Sequence, residues 1–234
     1  MSLKDDLDGY VDNVLGQAWD IRDGQVVPTS DTVLLAGGGV KLEVTMLYAD
    51  LADSTELAMW DRRVAARICK AYLECSSRLI RGAGGDIRSF DGDRVMGVFL
   101  SSTKNTDAAK CALKINWTFL NIIKPKFEQK YEALRNGTYK LAQTVGVDTS
   151  EVLVVRAGVR NSNDLIWLGR APNVAAKMSG IRQSPYYSFI TKEVYGRLNE
   201  SAKTSSDGRA IWEACTWKSG PVRDLYRSGW TWTP

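Results

Sequence analysis

The sequence predicts an α/β sandwich with a ferredoxin-like core: a mostly antiparallel sheet flanked by helices. Three observations predict it. Strand-like and helix-like stretches follow the order strand, helix, hairpin, helix, strands, helix, strands. The opening strand–helix–strand–strand–helix–strand run is the order of a ferredoxin-like unit. The 234 residues, 44% hydrophobic and 25% charged, suit one folded domain with an appendage.

Leu3, Leu7, Tyr10, Val14 and Ala18 recur at helical steps and predict a weakly amphipathic helix. Gly24, Pro28 and Gly37-Gly38-Gly39 end that pattern. Residues 1–40 therefore read as an N-terminal helical appendage, packed on the main domain or on a partner, and 41–234 as the main domain. Lys41 to Ala49 is strand-like. A helix is expected from about Thr55 to Arg81, with Leu57, Trp60, Val64, Ile68, Tyr72, Cys75 and Leu79 as its apolar stripe. Ile87–Phe90 and Val95–Leu100 flank Asp91-Gly92-Asp93, a strong local hairpin signal. A second helix carries Ala108, Ala112, Ile115, Phe119 and Ile122 on one face, and Pro125 ends or kinks it. Strands are expected at Leu141–Val147, Val152–Val159 and Leu165–Leu168. A third helix runs from Pro172 to about Ile181, with the proline in its first turn. Shorter elements follow: strands near 187–190, 210–217 and 222–226, and a helix near 192–198.

Composition narrows the chemistry. The chain has no histidine. That removes the usual general base, the usual zinc and iron ligand, and the common nucleophile–base triads. Catalysis must rest on carboxylates, hydroxyls, lysine, arginine or a hard metal. Cys69, Cys75, Cys111 and Cys215 form no CxxC pair and read as reduced core thiols of a cytoplasmic protein. The acidic start resembles no signal peptide, and no stretch is long and apolar enough to span a membrane. A net charge of +4 without clustered basic residues suits an anionic small molecule, not nucleic acid.

Three constellations carry the chemistry. Tyr48-Ala49-Asp50-Leu51-Ala52-Asp53-Ser54-Thr55 lies where a strand ends and a helix begins. Tyr48 shares the face of Asp50, and Ser54 and Thr55 open a helix whose amides attract phosphate oxygens. The plainer reading is that Asp53 or Ser54 caps the helix. Asp91-Gly92-Asp93 could set Asp93 against Asp50. Two carboxylates sharing a site repel unless a cation separates them, and oxygen ligands suit Mg²⁺ or Mn²⁺. The plainer reading is a turn. In Gly169-Arg170-Ala171-Pro172-Asn173-Val174-Ala175-Ala176-Lys177-Met178, Asn173 and Lys177 share a helix face. They could orient a ribose and neutralise phosphate charge, or merely line a solvated face.

The order and spacing of these segments, with Thr144-Val145-Gly146-Val147, resemble the class III nucleotidyl cyclases over roughly residues 41–226. Within that family, the Tyr48–Thr55 wording and the appendage look most like the pyrimidine cyclases of bacterial Pycsar anti-phage defence. The resemblance implies two divalent metal ions, Mn²⁺ or Mg²⁺, held by Asp50, Asp93 and the backbone carbonyl of Leu51. It implies that Asn173 orients the ribose. Lys177 falls where the family usually carries a transition-state arginine, and lysine offers a point charge without a bidentate fork. Another cation such as Arg170 could take that role. Purine cyclases select their base through a lysine, where this chain has Ser89, and an aspartate, where it has Ile166 with Asp164 nearby. Losing both selectors argues against ATP, and Tyr48 in the base pocket favours a small base. The resemblance thus implies cyclisation of UTP, or next CTP, by a homodimer with two composite sites. The alternatives are an adenylate or guanylate cyclase and a catalytically weak nucleotide sensor, which the lysine at 177 keeps open. A second two-metal phosphoryl enzyme, such as a polymerase-palm relative, and a structural module using the eight tryptophans are further readings.

Overall fold

A computed structural model describes residues 2–159 and 161–234. Two compact units divide the chain. The first takes the residues up to Glu43 and Glu151–Gly169. The second takes Val44–Ser150 and Arg170–Pro234.

In the first unit, Ser2 caps helix α1 (Leu3–Gly16) in a reciprocal capping box with Asp5, and the helix buries none of its residues. Strand β1 (Asp20–Asp23) then pairs in parallel with the start of β2 (Gly38–Leu51). Residues 1–40 thus hold a strand as well as a helix. The end of β5 (Gln143–Val159) pairs with β6 (Ser162–Gly169) as an antiparallel hairpin. Two strands were expected across 141–159. They are one, because the intervening Asp148-Thr149-Ser150-Glu151 contains no glycine or proline to turn the chain.

The second unit carries the ferredoxin-like core. Helices α2 (Ser54–Trp60) and α3 (Arg62–Gly82) follow β2. The hairpin is β3 (Asp86–Asp91) and β4 (Arg94–Phe99). Helices α4 (Lys104–Thr118), α5 (Lys124–Lys130) and α6 (Glu132–Arg135) lead to β5. The remainder is α7 (Arg170–Ser179), β7 (Ser188–Thr191), α8 (Lys192–Gly196), α9 (Glu200–Lys203), β8 (Glu213–Thr216) and β9 (Asp224–Ser228). The strand order is β3-β4-β2-β5-β7-β9-β8, whose first four members have the ferredoxin-like arrangement. The β2–β4, β3–β4, β7–β9 and β8–β9 pairs are antiparallel, and β5–β7 is parallel.

The expected helix over 55–81 is two helices. Asp61 adopts an extended conformation, and its carboxylate accepts hydrogen bonds from the Arg63 and Val64 amides. It caps α3 and so interrupts the turn that would have joined the two. Pro125 does not end the next helix. A π-helical turn at Phe119–Ile123 links α4 to α5, with Pro125 in the first turn of α5. The wider turn accommodates the missing proline amide and rotates the apolar face by one residue. Ile123 is therefore buried, and Ile122, expected in the core, is exposed.

One hydrophobic cluster, larger than that of Val174, Met178, Phe189 and Leu225, lies between sheet and helices. Leu47, Ala49 and Leu51 of β2 meet Val95 and Phe99 of β4, Ile68, Tyr72 and Ile80 of α3, and Ala108, Ala112 and Ile115 of α4. Alternation therefore turns Tyr48 and Asp50 to the opposite face. On that part of β5, Gly146 lets α7 come close: a Cβ there would collide with the Ala175 carbonyl oxygen.

Candidate active site

The hairpin sets the frame. Gly92 has φ +61° and Asp93 does not have a positive φ, the pattern of a two-residue II′ turn. The turn sets the register of β3 on β4, and β4 pairs in turn with β2. Tyr48 of β2 lies opposite Met96 of β4, which lies opposite Ser89 of β3. Directly opposed residues share a face, so Tyr48 and Ser89 belong to one row. The Tyr48 hydroxyl donates to the Met96 sulfur between them. The next row is Asp50, Arg94 and Asp91. Asp93 stands in the turn immediately before Arg94.

Asp50 is nearly buried, its side chain 8% exposed, and both oxygens are engaged. Oδ1 accepts from the Arg94 Nε at 3.3 Å. Oδ2 accepts from the Arg182 Nη2 at 2.8 Å. Arg182 comes from the loop after α7, where its Nη1 also donates to the Ser179 carbonyl at 2.7 Å. Beneath them lies a buried polar chain. The Tyr72 hydroxyl donates to Gln143, whose amide donates to Asn116, whose amide donates to the Trp230 carbonyl. Burial pushes the Tyr72 hydroxyl well above the ordinary tyrosine range; the negative charge of Asp50 adds to this, Ser76 and Arg182 oppose it, and Asp93 adds a smaller push. One buried hydroxyl thus feels both aspartates.

Asp53 joins β2 to α2 in the left-handed region, φ +57°, and makes no side-chain capping bond. Asp53 thus stands at the N-cap position of α2 without capping it through its side chain, which corrects the plainer expectation; the aspartate whose carboxylate caps a helix is Asp61, which follows α2 and opens α3. The αL conformation costs an aspartate about 1 kcal/mol or more, a strain that persists where surrounding structure holds it. Ser54 is half-buried and Thr55 exposed at the start of α2. Leu51 is buried in the core side.

Asn173 and Lys177 share the exposed face of α7, while Val174 and Met178 on its other face pack with Phe189 and Leu225. Arg170 is engaged elsewhere: it donates to Asp148, the Thr149 carbonyl and Glu193. In the first unit, Ile166 is exposed on β6 and pairs with Val155 of β5. Asp164, two residues earlier on the same strand face, pairs with Ala157. The reading from sequence named neither Arg94 nor Arg182. The hairpin register could have found Arg94. Arg182 lies 132 residues from Asp50 and carries no local signal.

The donor set fits a hard divalent cation. Asp50 and Asp93 offer acceptor-only oxygens, and Asp50 already draws two cationic groups. Among the described residues no group of three or more His, Cys, Asp or Glu side chains could hold a metal. Two carboxylates with a backbone carbonyl, water and phosphate oxygens is the habit of Mg²⁺.

No protein-family model matches the chain. Individual relatives do. The chain is 46% identical over 219 residues to the uridylate cyclase of Rhodovulum sp. (strain MB263), covering 93% of this chain and 91% of that protein. It is 39% identical to the uridylate cyclase of Xanthomonas perforans over 99% of both. The chain belongs to the class III nucleotidyl cyclases, in the uridylate cyclase family. The fold agrees: the adenylyl cyclase CyaB from P. aeruginosa superposes with a TM-score of 0.63 at 18% identity, over 81% of this chain and 95% of that one. The guanylyl cyclase Cya2 superposes with a TM-score of 0.64 at 16% identity. As a member of this family the cyclase is a phosphorus–oxygen lyase. Among the described residues no helix is long and apolar enough to cross a membrane.

Proposed function

We propose that this cyclase converts UTP to 3′,5′-cyclic UMP and pyrophosphate. The observation that carries the reading is Asp50: a nearly buried carboxylate at the end of β2, in register with the hairpin that bears Asp93, in a chain 46% identical to a uridylate cyclase. Asp50, Asp93 and the Leu51 carbonyl would hold two divalent ions, Mn²⁺ or Mg²⁺. Those ions, when bound, lower the pKa of the ribose 3′-hydroxyl and neutralise charge on the triphosphate. The protein's own part is positioning. Asn173 orients the ribose, and Lys177 meets charge developing on the α-phosphate as pyrophosphate leaves. The start of α2, at Ser54 and Thr55, lies at the phosphates. Tyr48 and Ser89 flank the uracil from one row of the sheet, with Ser89 able to hydrogen-bond a base carbonyl. CTP is the next candidate. Because Asn173 and Lys177 occupy the exposed face of α7, they would complete the site of a second copy, making a homodimer with two composite sites. The likeness to Pycsar cyclases supports a second messenger made in anti-phage defence. A weak nucleotide sensor is the second reading, favoured by lysine at 177.

A product screen tests it. Purified protein with Mn²⁺ and each of ATP, GTP, CTP and UTP is expected to yield cyclic UMP and pyrophosphate by mass spectrometry, and Asp50→Ala to lose roughly a thousandfold in rate. Consumption of a purine triphosphate, or of none, would overturn the assignment.

A further inference from the structure

Arg182 faces two ways. One side of its guanidinium binds the Asp50 Oδ2 at 2.8 Å. The residue also lines a cavity of about 590 Å³ within the second unit, between the α5–α6 region, the start of β5 and the loop before β7. Lys124, Arg135 and Lys140 line the same cavity, against the carboxylates of Asp53 and Glu128. Glu128 is spent in part on Lys124, 3.8 Å away. With Arg182 released from Asp50, four basic side chains would face two acidic ones there, a basin for an anion. Asp53, which opens α2 in the left-handed conformation, puts the cavity three residues along the chain from Asp50.

The Arg182 side chain is 36% exposed, so its charge can leave the carboxylate without being stranded in a dry core. A guanidinium and a divalent cation would compete for the same oxygen. Once released, the planar fork of Arg182 suits phosphate oxygens bidentately, and the cavity it lines is cationic.

We propose that Arg182 binds the polyphosphate of the nucleotide, and that it exchanges Asp50 for phosphate when a divalent cation enters. The proposal rests on the cyclase reading above. In the resting chain Arg182 shares Asp50 with Arg94, each on one oxygen. With cation and nucleotide bound, Asp50 is neutralised by the metal, and Arg182, with Lys124, Arg135 and Lys140, holds the β and γ phosphates. The entry of metal and the capture of triphosphate are thereby coupled through one side chain.

The test separates metal from nucleotide. Mn²⁺ affinity is measured by electron paramagnetic resonance without nucleotide, on the full chain and on Arg182→Gln. Removing the competing guanidinium is expected to tighten Mn²⁺ binding about tenfold. Affinities for 3′-deoxy-UTP and 3′-deoxy-UMP, neither of which can cyclise, are then measured by calorimetry. Arg182→Gln is expected to weaken the triphosphate about tenfold or more and leave the monophosphate unchanged. Arg182→Lys keeps the charge without the fork and should fall between the two on both measurements. Unchanged or weaker Mn²⁺ binding in Arg182→Gln overturns the exchange, and an undiminished preference for triphosphate overturns the phosphate role. Wild-type protein that turns over no nucleotide would sink the cyclase reading instead, while the Mn²⁺ comparison would still decide the competition at Asp50.

Discussion

Asp148 shows what burial does to a single carboxylate in this chain. It sits on β5 with no exposed surface. Its Oδ1 accepts from the Thr191 hydroxyl at 2.6 Å and from Arg170 at 3.1 Å, and its Oδ2 has no partner. Burial raises its pKa, outweighing the Thr191 hydrogen bond and the Arg170 charge. The folded chain therefore holds this proton more tightly than the unfolded chain does. Between the unfolded value of about 3.9 and the raised native value, stability from this group falls as pH rises, and above the native value the loss is complete. Asp148→Asn removes that slope. Urea denaturation across this acid range should show the variant gaining on the wild type as pH rises, with a constant difference above it; a pH-independent difference throughout would refute the account. Not every residue of the site announces its place so readily. Asp50 and Asp93 stand in short segments whose composition betrays a strand end and a turn. Arg94 and Arg182 are ordinary arginines until the register and the loop after α7 bring them to Asp50, because ion pairs across the chain leave no periodicity behind.

At the scale of elements, the junction of α2 and α3 makes a direct prediction. Asp61 holds two amides at the start of α3, 2.8 and 3.1 Å from its Oδ1. Asp61→Ala should cost about 1 kcal/mol, the usual worth of an N-cap. For a chain of this size that lowers Tm by about 2–4 °C, measurable by calorimetry, with the metal affinity of Asp50 untouched. A variant with unchanged Tm would mean the break between helices does not depend on this cap. Most elements were legible because apolar spacing reports which face is buried: β2, the hairpin, α4 and α7 all follow from it. Breaks are harder. The stripe Leu57, Trp60, Val64, Ile68 passes through Asp61 without losing phase, so periodicity alone reads one helix. The π turn at Phe119–Ile123 shifts the buried face from Ile122 to Ile123, a one-residue change that a fixed helical period cannot anticipate.

At the scale of the whole molecule, the question is how many chains make one site. Asp50 and the hairpin turn lie on β2, β3 and β4, whereas Asn173 and Lys177 lie on the exposed face of α7. If each site takes its carboxylates from one copy and its α7 residues from the other, two inactive variants must rescue one another. Asp50→Ala lacks the metal carboxylate, and Lys177→Ala lacks the cation for the α-phosphate. Free exchange between equal amounts of the two homodimers makes half the dimers mixed. In a mixed dimer, one site inherits both lesions and the other inherits neither. One intact site in half of the dimers amounts to about a quarter of the wild-type activity per chain. Cyclic nucleotide output after mixing, with mixed dimers counted by native mass spectrometry, reads this directly. If every site were built within one copy, each chain would carry its own lesion and no mixture would recover. Confirmed mixed dimers without activity would therefore put the whole site, α7 residues included, in a single chain and overturn the composite site.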